Sequence, residues 1–218
     1  MKKGCLLIVV LVVVIVVLWG GCSVYRTNNK LVPLDQDVKS KWGQVENQYQ
    51  RRMDLIPNLV NTVKGAADFE QTTLTQVIQA RASATQIKVD PNDLSPEKIQ
   101  QFQAAQGQLS QALGRLMVVS ERYPQLTATQ NFKDLQAQLE GTENRIAVAR
   151  MDFNNSVQTY NSTINRFPTA WWVSLFYKNK FKEKGFFHAQ QGAEQAPTVD
   201  FGNSGGGAAA PAADSLAR

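Results

Sequence analysis

Residues 4–24 carry no charge, and nothing else in this 218-residue chain narrows its fold as much. The run from Gly4 to Val24 is mostly valine, isoleucine and leucine. Twenty-one residues at about 1.5 Å each span roughly the 30 Å hydrocarbon core of a bilayer. Trp19 and Tyr25 stand near its far end, where amphipathic rings favour the membrane–water boundary. The expectation is a transmembrane anchor over 4–25, preceded by a short flank at 1–3, in a single-pass membrane protein.

Two other readings compete. Lys2 and Lys3 followed by Leu6 to Leu18 also describe a cleaved signal sequence. Gly20-Gly21-Cys22 then resembles a lipoprotein cleavage site with Cys22 acylated, although Trp19 holds the place where a leucine is usual. The anchor is the favoured reading and plain cleavage the least. The lysine pair lies closer to the run than Arg26 and Lys30 do, so the positive-inside rule leans towards a cytoplasmic amino terminus.

Beyond the anchor, apolar residues recur at helical spacing. Leu34, Val38, Trp42, Val45, Tyr49, Met53, Ile56, Val60 and Val63 step by three or four, which puts them on one helix face. Pro57 interrupts that line and predicts a kink or a break. Gly65 is a second weak point. The pattern resumes with Phe69, Leu74, Val77 and Ile78. Asp90-Pro91-Asn92-Asp93 is a turn by composition, and Ser95-Pro96-Glu97 opens a second helix with a cap, a first-turn proline and a helix-dipole partner. Its line is Ile99, Phe102, Leu109, Leu113 and Leu116, with Gln106 and Ser120 in apolar slots, and Tyr123-Pro124 ends it. A third line runs Phe132, Leu135, Leu139, Ile146, Ala149, Phe153, Tyr160 and Phe167, with Thr142 and Ser156 filling two slots. Its period near 3.5 implies shallow packing against long neighbours. No run alternates with period two. The fold class is therefore all-α: an antiparallel bundle of long helices over 31–168, after an amino-terminal transmembrane helix.

After Pro168 the composition shifts. Trp171 to Tyr177 is dense in aromatics, and Lys178 to Lys184 follows with four lysines and one glutamate. Residues 169–201 are expected to pack on the bundle or the membrane. Residues 202–218, rich in glycine and alanine, are expected to be disordered.

Charge and residue chemistry exclude several functions. The net charge is +5, of which the 178–184 stretch supplies +3, so no broad basic face is left for nucleic acid. A di-iron bundle needs Glu-x-x-His on two helices. Glu140 and Glu143 have a usable spacing, but the sole histidine, His188, lies in the aromatic tail. Cys5 and Cys22 both lie within the apolar run, so the body holds no thiol for zinc or a disulfide. There is no Gly-x-Ser-x-Gly and no phosphate-binding loop. The expectation is a protein without a cofactor, a metal or an enzymatic activity.

Trp42-Gly43-Gln44-Val45-Glu46-Asn47-Gln48-Tyr49-Gln50-Arg51-Arg52-Met53-Asp54-Leu55-Ile56-Pro57-Asn58-Leu59-Val60 resembles a signature of the LemA family of bacterial membrane proteins. Leu139 to Arg150, with Asp152-Phe153-Asn154, is similar to the family's second signature. The likeness covers about 31–201, while the Trp171-Trp172 pair departs from the pattern. It implies an amino-terminal membrane helix, a long-helix bundle and no enzymatic activity. It also implies an amino terminus outside the cell, against the charge argument.

Two surfaces stand out as candidates. The polar cluster Glu46, Asn47, Gln50, Arg51, Arg52, Asp54 and Asn58 lies beside the apolar line, within reach of Asn144, Arg145, Arg150 and Asp152 on the last helix. It reads first as an internal network that fixes helix register, and second as a groove for a partner helix. Trp171, Trp172, Phe176, Lys178, Lys180 and Lys182 form the other. They read either as a cap folded back on the bundle or as a membrane contact. Two functions follow: an anchored scaffold that presents a surface to another envelope protein, or a lipid-binding or membrane-shaping protein working through the bundle and 171–187. The expected partners are the lipid bilayer and that envelope protein.

Overall fold

A computed structural model of the chain describes residues 2–65 and 69–188. It contains α1 (Lys2–Lys64), α2 (Gln71–Gln86), α3 (Pro96–Ser120), α4 (Pro124–Thr127), α5 (Gln130–Ile164) and α6 (Thr169–Phe176), and no strand among the described residues. One compact unit ends at Phe187. Of the unit that follows, only His188 is described, and it is exposed. The expectations for 189–201 and for a disordered tail at 202–218 lie outside the described residues.

The all-α reading holds, with one large correction. No helix starts near Leu34, and none breaks at Pro57: α1 is one helix of 63 residues, about 95 Å long, through both Pro33 and Pro57. The apolar amino-terminal run and the first bundle helix belong to one continuous helix. Pro57 is tolerated because another helix supplies the missing donor. Its missing N–H leaves the Met53 carbonyl without its usual partner four residues on. Arg81 Nε, on α2, donates to that carbonyl at 3.1 Å. The break comes instead at Gly65, the second weak point. This exchange of partners is testable. Arg81→Ala should cost more with Pro57 present than in the Pro57→Ala background, where residue 57 supplies its own N–H. A double-mutant cycle giving additive unfolding energies would refute the compensation.

Pairings across the bundle give the directions. Lys41 meets Asp152 and Arg52 meets Glu143, so α1 and α5 are antiparallel. Glu70 meets Arg122 and Gln76 meets Arg115, so α2 and α3 are antiparallel. The α2–α3 connection turns on Asp90, which accepts the Asn92 amide on Oδ1 and the Asp93 amide on its carbonyl, each at 2.8 Å. Ser95 stands at the N-cap of α3, but its hydroxyl makes no capping bond.

The apolar lines supply the core. Val38, Trp42, Val45, Tyr49, Met53, Ile56, Val60 and Val63 are all buried, and so are Ile99, Phe102, Leu109, Leu113 and Leu116. Ile78 faces out, and Phe167 lies beyond the end of α5, 81% exposed. Two of the polar residues in apolar slots of α5 bond to their own helix: Thr142 Oγ1 donates to Gln138 O at 2.7 Å and Ser156 Oγ to Phe153 O at 2.8 Å. A hydroxyl satisfied this way stays in a core without a partner across it.

Candidate functional site

The core is two clusters rather than one. The first holds Leu31, Val38, Trp42, Val45, Tyr49, Phe102, Ile146 and Phe153. The second holds Met53, Ile56, Leu59, Val60, Leu109, Leu116, Phe132 and Leu139. On each of three helices the residue at the boundary is polar: Arg52 on α1, Gln106 on α3 and Thr142 on α5, all buried. Arg52 is the centre of this layer. Its Nη1 donates to Ser110 Oγ and to Glu143 Oε2, both at 2.8 Å, and its Nη2 donates to Gln106 Oε1 at 2.6 Å. Its guanidinium lies 5.0 Å from the Tyr49 ring centre. Burial pushes the Tyr49 hydroxyl pKa up. The guanidinium is buried while Glu143 stays largely exposed, so a shift by a turn would leave a buried charge without these acceptors.

The other predicted members are spread around this centre. Glu46, Arg51 and Asp54 are exposed, and Asp54 accepts from Gln50 on its own helix, at 2.8 Å. Asp152 pairs with Lys41 at 3.3 Å. The Arg150 guanidinium sits over the Phe187 ring at 4.9 Å. Asn47, Asn144 and Asp152 meet in a shallow groove of about 460 Å³ between α1 and α5, with Gln44, Arg145 and Val148 on its walls. Sequence reasoning missed Gln106, Ser110 and Glu143 as the partners of Arg52. A glutamine in an apolar slot of the second line was the available signal for Gln106.

Beyond α6 the chain returns as a strap across the bundle. Asn161 and Asn154, seven residues apart on α5, each grip one backbone unit of it. Asn161 donates to Lys184 O at 2.9 Å and accepts Lys184 N at 3.0 Å. Asn154 donates to Phe187 O at 2.8 Å and accepts Phe187 N at 2.9 Å. The spacing matches: three extended residues cover about 10 Å, as do seven helical ones. Lys184, buried, pairs with Asp35 of α1 at 2.9 Å. Burial opposes the Asp35 charge, but hydrogen bonds from Lys39 and Lys184 outweigh it and hold its pKa below the usual value. The Phe187 ring stacks on Trp42 with centroids 6.1 Å apart. The strap is therefore part of the core.

Gly185 is the point where no side chain fits. A Cβ there would lie 2.6 Å from Pro96 Cα, a backbone atom that cannot step aside. Gly185→Ala should cost about 3 kcal/mol, the upper end for overpacking, and free the strap. Hydrogen exchange at the Lys184 and Phe187 amides should rise; unchanged protection at both would show that the bundle absorbs the methyl group.

The aromatic segment divides. Trp172 is buried, with Phe176 stacked on it at 5.9 Å, and its ring faces Gly20 of α1. Trp171 and Phe176 are exposed, as are Lys178, Lys180 and Lys182. Lys180 Nζ donates to Asn28 Oδ1 of α1 at 2.9 Å. Cys22 is exposed on α1. Among the described residues no group of three or more His, Cys, Asp or Glu could hold a metal ion.

One helix among the described residues is long and apolar enough to cross a membrane, and its apolar part has almost no burial within the chain. A helix of that kind continuous with an antiparallel bundle, and the packing of Trp42–Val60 against Leu139–Asn154 around one ionic layer, define the class. The model of the LemA family matches residues 41–201, and the chain belongs to that family. It is similar to Magnetosome protein MamQ 1 of Paramagnetospirillum magneticum, 28% identical over 176 residues, which are 73% of this chain and 64% of the relative. MamQ of Magnetospirillum gryphiswaldense is 28% identical over 177 residues with the same coverage. Protein LemA of Metamycoplasma hominis is 23% identical over 141 residues, 65% of this chain and 61% of the relative. The matched stretch thus spans less than two thirds of these relatives' own length.

Proposed function

We propose that this LemA-family protein is a non-enzymatic, single-pass membrane scaffold that holds its bundle at a fixed height and presents it to another protein of the cell envelope. The continuity of α1 from Lys2 to Lys64 carries this reading. An anchor joined by a flexible linker would let the bundle swing against it, whereas a helix common to both fixes the bundle relative to the anchor. The surface offered to the partner is the α1–α5 groove around Asn47, Asn144 and Asp152. Val148 and Met151 stand exposed on α5, one turn apart, as anchors for an apolar helix face.

Photo-crosslinking amino acids at Asn47, Asn144 and Val148 in intact cells test the reading, with Gln111 on α3 as an exposed control. The expected result is one discrete adduct shared by the three groove positions and absent from Gln111. No adduct, or the same adducts at all four, would refute the groove as the presenting surface. Intact mass of the purified protein separates the alternative anchor, because acylation at Cys22 requires cleavage before it and an added lipid. The second reading, lipid contact through 171–187, is favoured by the exposed aromatic face of α6.

A further inference from the structure

α6 carries no charged residue, yet it leaves large apolar groups uncovered. Trp171 is 55% exposed, and Leu175 and Phe176 are each 59% exposed. Phe167, just before the helix, is barely covered at all. Four large apolar groups on and beside eight residues make a patch that a water-facing surface rarely keeps.

Position along α1 identifies what covers it. Trp172, on the inner side of α6, packs over Gly20. Gly20 lies inside the charge-free run, four residues before its end at Val24. At the same level α1 exposes Trp19, and Tyr25 follows a turn and a half later. The next fixed point is Lys180 on Asn28. Eight residues of helix separate Gly20 from Asn28, about 12 Å along the axis. Lys178 and Lys182 flank Lys180 and are exposed. Along α1 the order is therefore the apolar run, then aromatics from two separate segments, then Lys180 with its neighbouring lysines. That order matches the passage from acyl chains through the boundary region to the headgroups, a layer of about 5–8 Å on each side of the core. A protein partner would not require two segments distant in sequence to keep the same depth profile.

We propose that α6 is a second membrane element. It lies in the interface beside α1, with Phe167, Trp171, Leu175 and Phe176 against the acyl boundary and Lys178, Lys180 and Lys182 on anionic lipid headgroups. This rests on the reading of residues 4–24 as membrane-spanning, and on lipid contact through 171–187. Its consequence is mechanical. One spanning helix leaves a bundle free to spin and tilt about its own axis. A second contact, tied to α1 through Trp172 and to the bundle through the strap, fixes both.

The full chain in nanodiscs tests this by spin-label depth measurements. Cys5 and Cys22 are replaced by serine, and single labels are placed through Leu11→Cys, Leu175→Cys and Val148→Cys. Discs are made of phosphatidylcholine alone or with phosphatidylglycerol added. The label at 11 should be reached by oxygen and shielded from a water-soluble nickel chelate. The label at 148 should show the reverse. The label at 175 should be shielded from nickel at a shallow depth, and more so with phosphatidylglycerol. Lys178→Gln, Lys180→Gln and Lys182→Gln together should abolish that lipid dependence. A label at 175 as open to nickel as the one at 148, with 11 still immersed, overturns α6 as a membrane element and leaves the anchor standing. A label at 11 open to nickel overturns the anchor and this inference with it. Shielding at 175 that is indifferent to phosphatidylglycerol overturns the role of the lysines.

Discussion

Phe153→Ala should lower the unfolding free energy by about 3–5 kcal/mol, the usual loss for a large aromatic cut to alanine in a core. Phe153 has no exposed surface, and its ring meets Trp42 edge-on at 5.6 Å and Phe187 at 5.5 Å. Trp42 comes from α1, Phe153 from α5 and Phe187 from the strap, so one truncation loosens all three at once. The site cannot close over the gap, because the helices on either side are held by the Arg52 layer and the strap by its two asparagines. Denaturant unfolding followed by circular dichroism gives the value. Val148→Ala, on the exposed side of the same helix, should stay within about 0.5 kcal/mol. Equal losses from the two would mean that α5 presents another face to the core.

Glu143→Ala should cost about 3 kcal/mol, at the low end for breaking a buried ion pair. The Arg52 side chain is 2% exposed and that of Glu143 56%, so the acid is solvated and the guanidinium is not. Removing the acid strands a buried charge among neutral acceptors. Water reaching it past the missing side chain keeps the loss from being larger. The decisive measurement is the double substitution. Arg52→Met with Glu143→Ala should be more stable than Glu143→Ala alone, although it deletes a further set of hydrogen bonds. It takes the Arg52 donors from Ser110 and from the Gln106 side chain, and neutral polar groups left unpaired cost less than a buried charge. A double variant weaker than the single one would show that Arg52 contributes mainly by packing and hydrogen bonding rather than as a charge that needs its counterion.

Much of the fold was legible because it depends on periodicity. The steps from Val38 to Val63 and from Phe132 to Tyr160 follow from 3.6 residues per turn, and most of the buried residues of α1 and α5 in those stretches fall on them. Pro57 was read as an interruption because local rules treat a lost backbone bond as lost. Arg81 comes from another helix, 28 residues on, and no local rule includes it. Phe167 kept the rhythm of the last helix but fell three residues past its end, and periodicity does not mark where a helix stops.

The candidate site was legible in kind and not in pairing. A cluster of charged residues beside an apolar line announces an internal polar contact, but its partner depends on how two helices slide past each other. Asn144, Arg145, Arg150 and Asp152 were within reach of the cluster by that measure, and Arg52 took Glu143.

What the amino-acid sequence determined by itself is whatever repeats within a few residues: the helices, their buried faces, a charge-free segment of bilayer length, and two blocks specific enough to mark the family. These properties need only the geometry of one helix and the cost of exposing apolar surface. What the tertiary structure decided is everything that requires two segments at once. The anchor and the bundle share one helix. Arg52 divides the core because three helices place polar residues at one level. The strap closes on Asn154 and Asn161, and α6 stands beside Gly20. Such pairings are set by packing between distant parts of the chain, where a single ångström decides whether a glycine such as Gly185 is required, and no local pattern records that distance.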